Sequence, residues 1–230
     1  MALVGGGTHP KPGEVSLAHA GVLFLDELTE FPRTVLDQLR QPIEDGVVTV
    51  ARAAQTIQYP AQVMLVGAMN PCKCGFIGSS KRDCRCSSGD VLRYQRKVSG
   101  PLLDRFDLHV PVTDISVEEV LATQQEGPSS EEVAGQVVTA RQQQYERQGK
   151  SNAELTAREL KRHCRLDAVS EKLLKQAEGR FHLSARGVHR LLKTARTVAD
   201  LAGAQRIESA HVAEALQYRE QLQQYLPEFV

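Results

Sequence analysis

The sequence predicts an α/β core built on a parallel sheet, followed by an all-α domain. Three observations carry this reading: two short apolar runs that each end in polar side chains, a helix-compatible segment between them, and a turn to helix-forming sequence beyond Gly127. Val22 to Leu25 and Val63 to Met69 are continuous apolar runs bounded by Gly or Pro, which suits strands buried on both faces of a parallel sheet. Between them, Pro32 to about Asp45 reads as a crossover helix. Pro32 fits its first position and Leu36, Leu39 and Ile43 share one face, while Pro42 is expected to kink or shorten it. Val47 to Ala51 and Gln55 to Tyr59 are β-rich runs flanking Arg52-Ala53-Ala54 and predict a hairpin inserted before the second sheet strand. Leu108 to Thr113 reads as the last strand of the sheet.

Residues 1–126 therefore form the expected core and residues 127–230 a helical domain, with Gly127-Pro128-Ser129-Ser130 as the linker or turn. Glu131 to Gln148 predicts a long polar helix, Thr156-Ala-Arg-Glu159 is a capping box opening another, and Asp167 to Glu178 is a third. Ser184 caps a fourth, whose Val188, Leu191, Leu192, Ala195 and Val198 make one apolar face ending near Gly203. Ser209 caps the last, with Val212, Leu216 and Leu222 inward, and Cys164 reads as an ordinary core residue.

Composition narrows the classes. A chain of 230 residues with 41% hydrophobic content supports a real core, and 28 basic against 28 acidic residues give no overall argument for a polyanionic partner. No apolar run approaches a membrane span, and Met1 to Pro12 has no signal-peptide core. Five cysteines, four of them clustered, fit a metal site in a reducing, cytoplasmic compartment better than a disulfide scaffold.

The chemistry starts at the strand ends, where ligands bind in open α/β sheets and where Asp26, Glu27 and Asn70 fall. An apolar strand ending in Asp-Glu is the Walker B pattern of P-loop ATPases, in which the first acid orients Mg²⁺ through its water shell and the second polarises the attacking water. A solvated strand end would look the same, but Asn70 at the end of a second strand adds a neutral amide able to hold a γ-phosphate or the lytic water. Cys72-x-Cys74 and Cys84-x-Cys86 each present two thiols on one side of extended chain and can close around Zn²⁺; reduced free thiols or a redox pair are the alternatives. Lys73, Lys81, Arg82, Arg85, Arg93, Arg96 and Lys97 crowd the same region against Asp83 and Asp90, which suits nucleic-acid phosphates or simply a solvated loop. Arg105 lies between Asp104 and Asp107, a natural local ion pair, and Arg186 sits in the first turn of a helix, where an anion is favoured.

Five motifs in order extend this picture: Gly5 to His19 (Gly-Gly-Gly-x-x-Pro-x-Pro-Gly-Glu-Val-Ser-Leu-Ala-His), Leu23 to Leu28, Asn70 to Gly75 (Asn-Pro-Cys-x-Cys-Gly), Ser99 to Asp107 and Leu183 to Gly187. With them the chain, from about Leu3 to Arg219, resembles the magnesium-chelatase-like branch of the helix-2-insert clade of AAA+ ATPases. The resemblance implies a P-loop AAA+ core with a hairpin insert and a helical lid, using ATP and Mg²⁺. Asp26 would hold Mg²⁺, Glu27 activate water, Asn70 position it, Arg105 serve as the arginine finger for the next subunit of a hexameric ring, and Arg186 act as sensor 2. Arg52 would be the tip of a pore hairpin touching single-stranded or branched DNA, beside a zinc loop with Lys73, Lys81, Arg82 and Arg85. The implied activity is ATP-driven DNA branch migration in recombination and natural transformation. A chelatase-type motor remodelling a protein partner is the alternative, and a non-catalytic zinc-stabilised DNA-binding or assembly module is the reading for the isolated chain. One departure matters: the Gly-x-x-x-x-Gly-Lys-Ser/Thr phosphate loop is nowhere in these residues, so the chain is expected to be a C-terminal fragment with weak nucleotide binding of its own.

Overall fold

In the computed structural model, residues 3–7, 10–51, 56–117, 121, 127–181 and 183–225 are described. The chain divides into two units, Met1–Phe106 and Asp107–Val230. The first is mixed α/β and the second helical.

The first unit carries, among its described residues, β1 (Val22–Leu25), β2 (Val47–Ala51), β3 (Thr56–Pro60) and β4 (Met64–Gly67). β1 and β4 pair in parallel, Val22 opposite Met64 and Leu25 opposite Gly67. β2 and β3 form the antiparallel hairpin, Val47 opposite Pro60 and Ala51 opposite Thr56. Arg52, expected at its tip, lies outside the described residues. Burial of the parallel strands on both faces does not hold. Leu23 and Leu25 are buried, but Val22 and Phe24 are each 58% exposed and Met64 64%. Side chains of a strand alternate between faces, and no described element covers the second one.

The crossover is two helices, α2 (Arg33–Asp37) and α3 (Arg40–Asp45), after α1 (Glu14–Leu17). The break falls at Gln38 and Leu39 instead of Pro42. Pro42 lacks an N–H and its ring would clash with the Gln38 carbonyl in one continuous helix, so a new helix starts just upstream and Pro42 occupies its first turn, where no N–H is needed. Gly46 closes α3 in the left-handed region at φ 68°. Beyond β4 come α4 (Ser88–Gln95) and α5 (Gly100–Leu103). Leu28, Leu36, Leu39, Val98, Leu102 and Leu103 are among the buried side chains of this unit.

Residues 108–116 are not a strand. The apolar alternation is present, with Leu108, Val110 and Val112 at 49%, 66% and 91% exposure, but no described strand runs beside it to complete a ladder. The His109 N–H instead bonds the Tyr218 carbonyl at 3.0 Å.

The second unit contains α6 (Ser130–Gln148), α7 (Ala157–His163), α8 (Ala168–Phe181), α9 (Ala185–Leu201) and α10 (Ser209–Tyr225), with a 3-10 turn at Asn152–Glu154. Complete capping boxes join Ser129 with Glu132, Ser151 with Glu154 and Thr156 with Glu159. Ser209 is the first residue of α10 and does not cap it; the Glu208 N–H is taken by His211 Nδ1 at 3.0 Å. Leu155, Leu160, Leu191, Ala195, Val212 and Leu216 build the core with Cys164, whose thiol burial pushes up to about 11. Behind α9 lies a polar network that hydrophobic periodicity did not announce. Asp200 accepts from Arg147 (2.6 Å), Arg196 (3.0 Å) and Asn152 (2.8 Å), all within an otherwise apolar helix packing.

Candidate functional site

The parallel pair delivers Asp26, Glu27 and Asn70 to one end of the sheet, and all three are exposed. The chain turns sharply there. Glu27 adopts φ 49° and ψ 51°, a left-handed conformation that costs a residue with a Cβ about 1–3 kcal/mol. Its N–H donates to Asp26 Oδ1 at 2.8 Å, which anchors one carboxylate oxygen and leaves the other facing solvent. The two strand ends are stitched together: Ala68 N–H donates to the Leu25 carbonyl and Leu28 N–H to the Ala68 carbonyl, each at 2.9 Å. Gly67 makes the approach possible, since a Cβ there would lie 2.6 Å from Leu28 Cδ1. Two carboxylates and an amide on linked loops suit a hydrated divalent cation and the water beside it.

Four thiols gather immediately beyond Asn70. Cys72 Sγ lies 3.4 Å from Cys74 Sγ and 3.7 Å from Cys84 Sγ, Cys74 and Cys84 are 3.5 Å apart, and with Cys86 all four sulfurs fall within 4.8 Å. In a tetrahedral site with Zn–S bonds of about 2.3 Å the sulfurs sit roughly 3.8 Å apart. The first pair is not extended as expected. Cys72 to Gly75 is a turn, closed by Gly75 N–H to the Cys72 carbonyl at 3.0 Å and made possible by Gly75 at φ 81°. The turn aims the Phe76 amide at Cys74, which with the neighbouring Cys72 thiol lowers that thiol to about 6. Cys84 moves the other way, to about 12: the Cys86 amide draws it down, but lost hydration and the hydrogen bonds to Cys74 and Cys72 outweigh it.

The basic residues of this loop, Lys73, Lys81, Arg82 and Arg85, are all exposed, and the Arg82 guanidinium stacks 4.7 Å above the Phe76 ring. Arg105 is held within its unit. It donates to the carbonyls of Arg40 (3.0 Å) and Pro101 (2.6 Å) and pairs with Glu44 at 2.6 Å, leaving its side chain 10% exposed. It lines a cleft of about 660 Å³ together with Gly5, Asp37, Arg40 and Glu44, away from the acidic pair. Arg186 is exposed in the first turn of α9, whose N-cap Ser184 accepts from the Gly187 N–H at 3.1 Å; it belongs to the second unit.

Sequence reasoning missed α4. Its Tyr94 hydroxyl accepts from Thr29 Oγ1 at 2.6 Å, just past Glu27, and its Gln95 Nε2 donates to the Pro71 carbonyl at 2.9 Å, just past Asn70. The Ser87-x-x-Asp90 cap was a local signal for the helix, but nothing local points to these partners.

Residues 1–120 match the family described as magnesium chelatase, subunit ChlI, and residues 127–219 match that described as magnesium chelatase, subunit ChlI C-terminal. The chain is 48% identical over 218 residues to competence protein ComM of Haemophilus influenzae, covering 95% of this chain and 42% of the relative. It is 44% identical over 220 residues to the uncharacterized protein YifB of Salmonella typhimurium and 44% over 218 residues to YifB of Escherichia coli, covering 95% of this chain and 43% of each. The chain thus spans less than half the length of these relatives. No helix among the described residues is long and apolar enough to cross a membrane.

Proposed function

The chain belongs to the magnesium chelatase ChlI-related family of AAA+-type ATPases, and from that premise we propose that it is the hydrolytic and lid portion of an ATP-driven motor acting on DNA. The observation that carries the reading is the placement of Asp26-Glu27 and Asn70 on two strand ends cross-linked by the Leu28–Ala68 hydrogen bond. Bound Mg²⁺-ATP supplies the phosphoryl group and the cation that offsets its charge. Asp26 would hold that cation through water, with one oxygen committed to the Glu27 amide and the other available. Glu27 would take the proton of the attacking water from its left-handed position just past the strand. Asn70 would orient the same water without adding charge. Arg105 and Arg186 would balance the phosphate charge, Arg105 for a neighbouring copy in a hexameric ring.

DNA as the substrate is supported by the exposed cations Lys73, Lys81, Arg82 and Arg85, by the occurrence of Arg52 in the sequence between β2 and β3, and by a relative named as a competence protein. Branch migration of single-stranded or branched DNA during recombination in natural transformation is the process this fits. The four thiolates would hold Zn²⁺. A motor that remodels a protein partner is the second reading, favoured by the chelatase description of the matched family; it has no use for a basic four-cysteine loop. Since the full Gly-x-x-x-x-Gly-Lys-Ser/Thr phosphate loop does not occur in these residues, Gly149-Lys150-Ser151 having Gln144 where the first glycine is needed, the test compares ATP turnover by this chain with turnover by a protein extended upstream to include one. Turnover only in the longer protein, raised by branched DNA, is the expected result. Stimulation by a protein partner alone would overturn the DNA reading, and no turnover in either would overturn the motor reading.

A further inference from the structure

The four-cysteine centre and the acidic loop are joined by one short helix. Cys86 is followed directly by Ser87, the N-cap of α4, whose Oγ accepts the Asp90 N–H and donates to Asp90 Oδ2 at 2.7 Å. At the other end of α4, Gln95, only 2% exposed, grips the Pro71 carbonyl between Asn70 and Cys72. Tyr94 meets Thr29, 1% exposed, and Lys97 pairs with Glu30 at 3.6 Å. Cys72 itself is fully buried two residues after Asn70. Asn70 is therefore fixed from both sides, by a metal-ligand candidate along the chain and by Gln95 across it, and the loop after Glu27 is fixed by Tyr94.

We propose that the four cysteines hold one Zn²⁺ as a closed tetrathiolate site, and that this ion, through α4, positions the loops carrying Asp26-Glu27 and Asn70, with Tyr94 and Gln95 as the positioning residues. The catalytic meaning rests on the ATPase reading above; the structural coupling does not. The cysteines ligate as thiolates, any thiol still protonated losing its proton to solvent, and the site has no open position, so the ion is structural and does not activate water. A Zn²⁺ with four thiolates carries a net charge of two minus, and Lys73, Lys81, Arg82 and Arg85, exposed on the same stretch of chain, offer compensating cations. The same cations can meet nucleic acid, which would link a DNA-facing surface to the hydrolytic loops through one helix of about two turns.

Metal analysis of the purified chain is expected to give one zinc per chain, retained by Tyr94→Phe and Gln95→Met and lost in Cys84→Ser. Amide hydrogen exchange then reads the loops with no need for turnover. Zinc binding is expected to slow exchange at residues 26–31 and 68–72. Gln95→Met, which keeps volume but removes the donor, is expected to lose roughly tenfold of the protection at 68–72 with zinc still bound, the factor one net hydrogen bond supports. Tyr94→Phe is expected to do the same at 26–31. Should Cys84→Ser fail to fold, stripping zinc from wild-type protein by chelation and restoring it makes the same comparison. Equal exchange with and without zinc, or a stable wild type that takes up none, overturns the proposal. In a longer ATP-hydrolysing protein, both α4 variants are expected to lower kcat at unchanged KM. Absence of turnover in that wild type would sink the motor reading while leaving the exchange result to decide this one.

Discussion

Glu27 shows most directly how a single residue can carry a carboxylate on a strained backbone. Its backbone sits at φ 49°, where a glycine would rest without strain, yet the position carries a carboxylate. Replacing it by Gly relieves the strain but adds back the chain entropy of glycine, a net gain of about 1 kcal/mol. Glu27→Gly is therefore expected to raise the urea midpoint of this chain while Glu27→Ala, which keeps the Cβ, leaves it unchanged. Equal midpoints for the two variants would remove strain from the account. In the proposed motor both variants would lose hydrolysis. This residue also marks the limit of what could be read beforehand. Asp26-Glu27, Asn70 and the cysteine pairs were legible because each is a short pattern whose chemistry depends on adjacent residues. The left-handed turn at Glu27, the turn at Cys72 to Gly75 and the grip of Arg105 on Glu44 were not, since backbone handedness and partners 61 residues apart leave no local trace.

At the level of elements, helix starts were the most legible features because caps are local. The glutamates of the three capping boxes are acidified: Lys150 first and then the Thr156 cap hold Glu159 down to about 2 from 4.5, and Ser129 and Ser151 lower Glu132 and Glu154. For Glu159, with its folded value depressed, the stabilisation is present above pH 4.5 and is lost as pH falls toward 2. Glu159→Gln is expected to lower the melting temperature at pH 7 and to make no difference near the acid limit; a deficit that persists there would mean packing and not charge is at work. Helix interiors were harder. The apolar stripe of α9 was predicted, but Arg196 and Asp200 are 1% and 2% exposed on that same helix. Arg196 is fully engaged, donating to Asp200 and to the carbonyls of Ala204 and Gln205, and burial still pulls its basicity down. Asp200→Ala removes the one carboxylate that Arg196 and Arg147 share, leaving Arg196 only the carbonyls of Ala204 and Gln205 and Arg147 only Gln148 and Asn152, and is expected to cost about 3–5 kcal/mol in urea unfolding. A loss under 1 kcal/mol would show that the network is incidental. The break between α2 and α3 was misplaced for a related reason, since a proline disturbs the carbonyl four residues back more than its own position.

For the whole molecule, the α/β core and helical second unit were legible from composition and periodicity, whereas the bare second face of the parallel pair was not. Apolar runs mark strands meant for burial but do not name the element that does the burying. Val22, Phe24, Met64 and Val66 therefore present a contiguous apolar set to solvent on a chain that spans less than half the length of its relatives. The clamp on Arg105 acts at this scale too. If Arg105 serves a neighbouring copy as proposed, an arginine bound to three acceptors in its own unit is available only in the fraction of molecules where it has let go, and the apparent dissociation constant of the proposed ring would be the intrinsic one divided by that fraction. Self-association would then be a linked equilibrium with an intramolecular competitor. Glu44→Gln weakens the competitor and is expected to shift sedimentation profiles toward larger species at fixed concentration, most visibly at low ionic strength. An unchanged profile would identify the pair as a brace for α3 and α5. In the first case assembly is tuned by how often a side chain undocks, and the resting monomer carries its own antagonist.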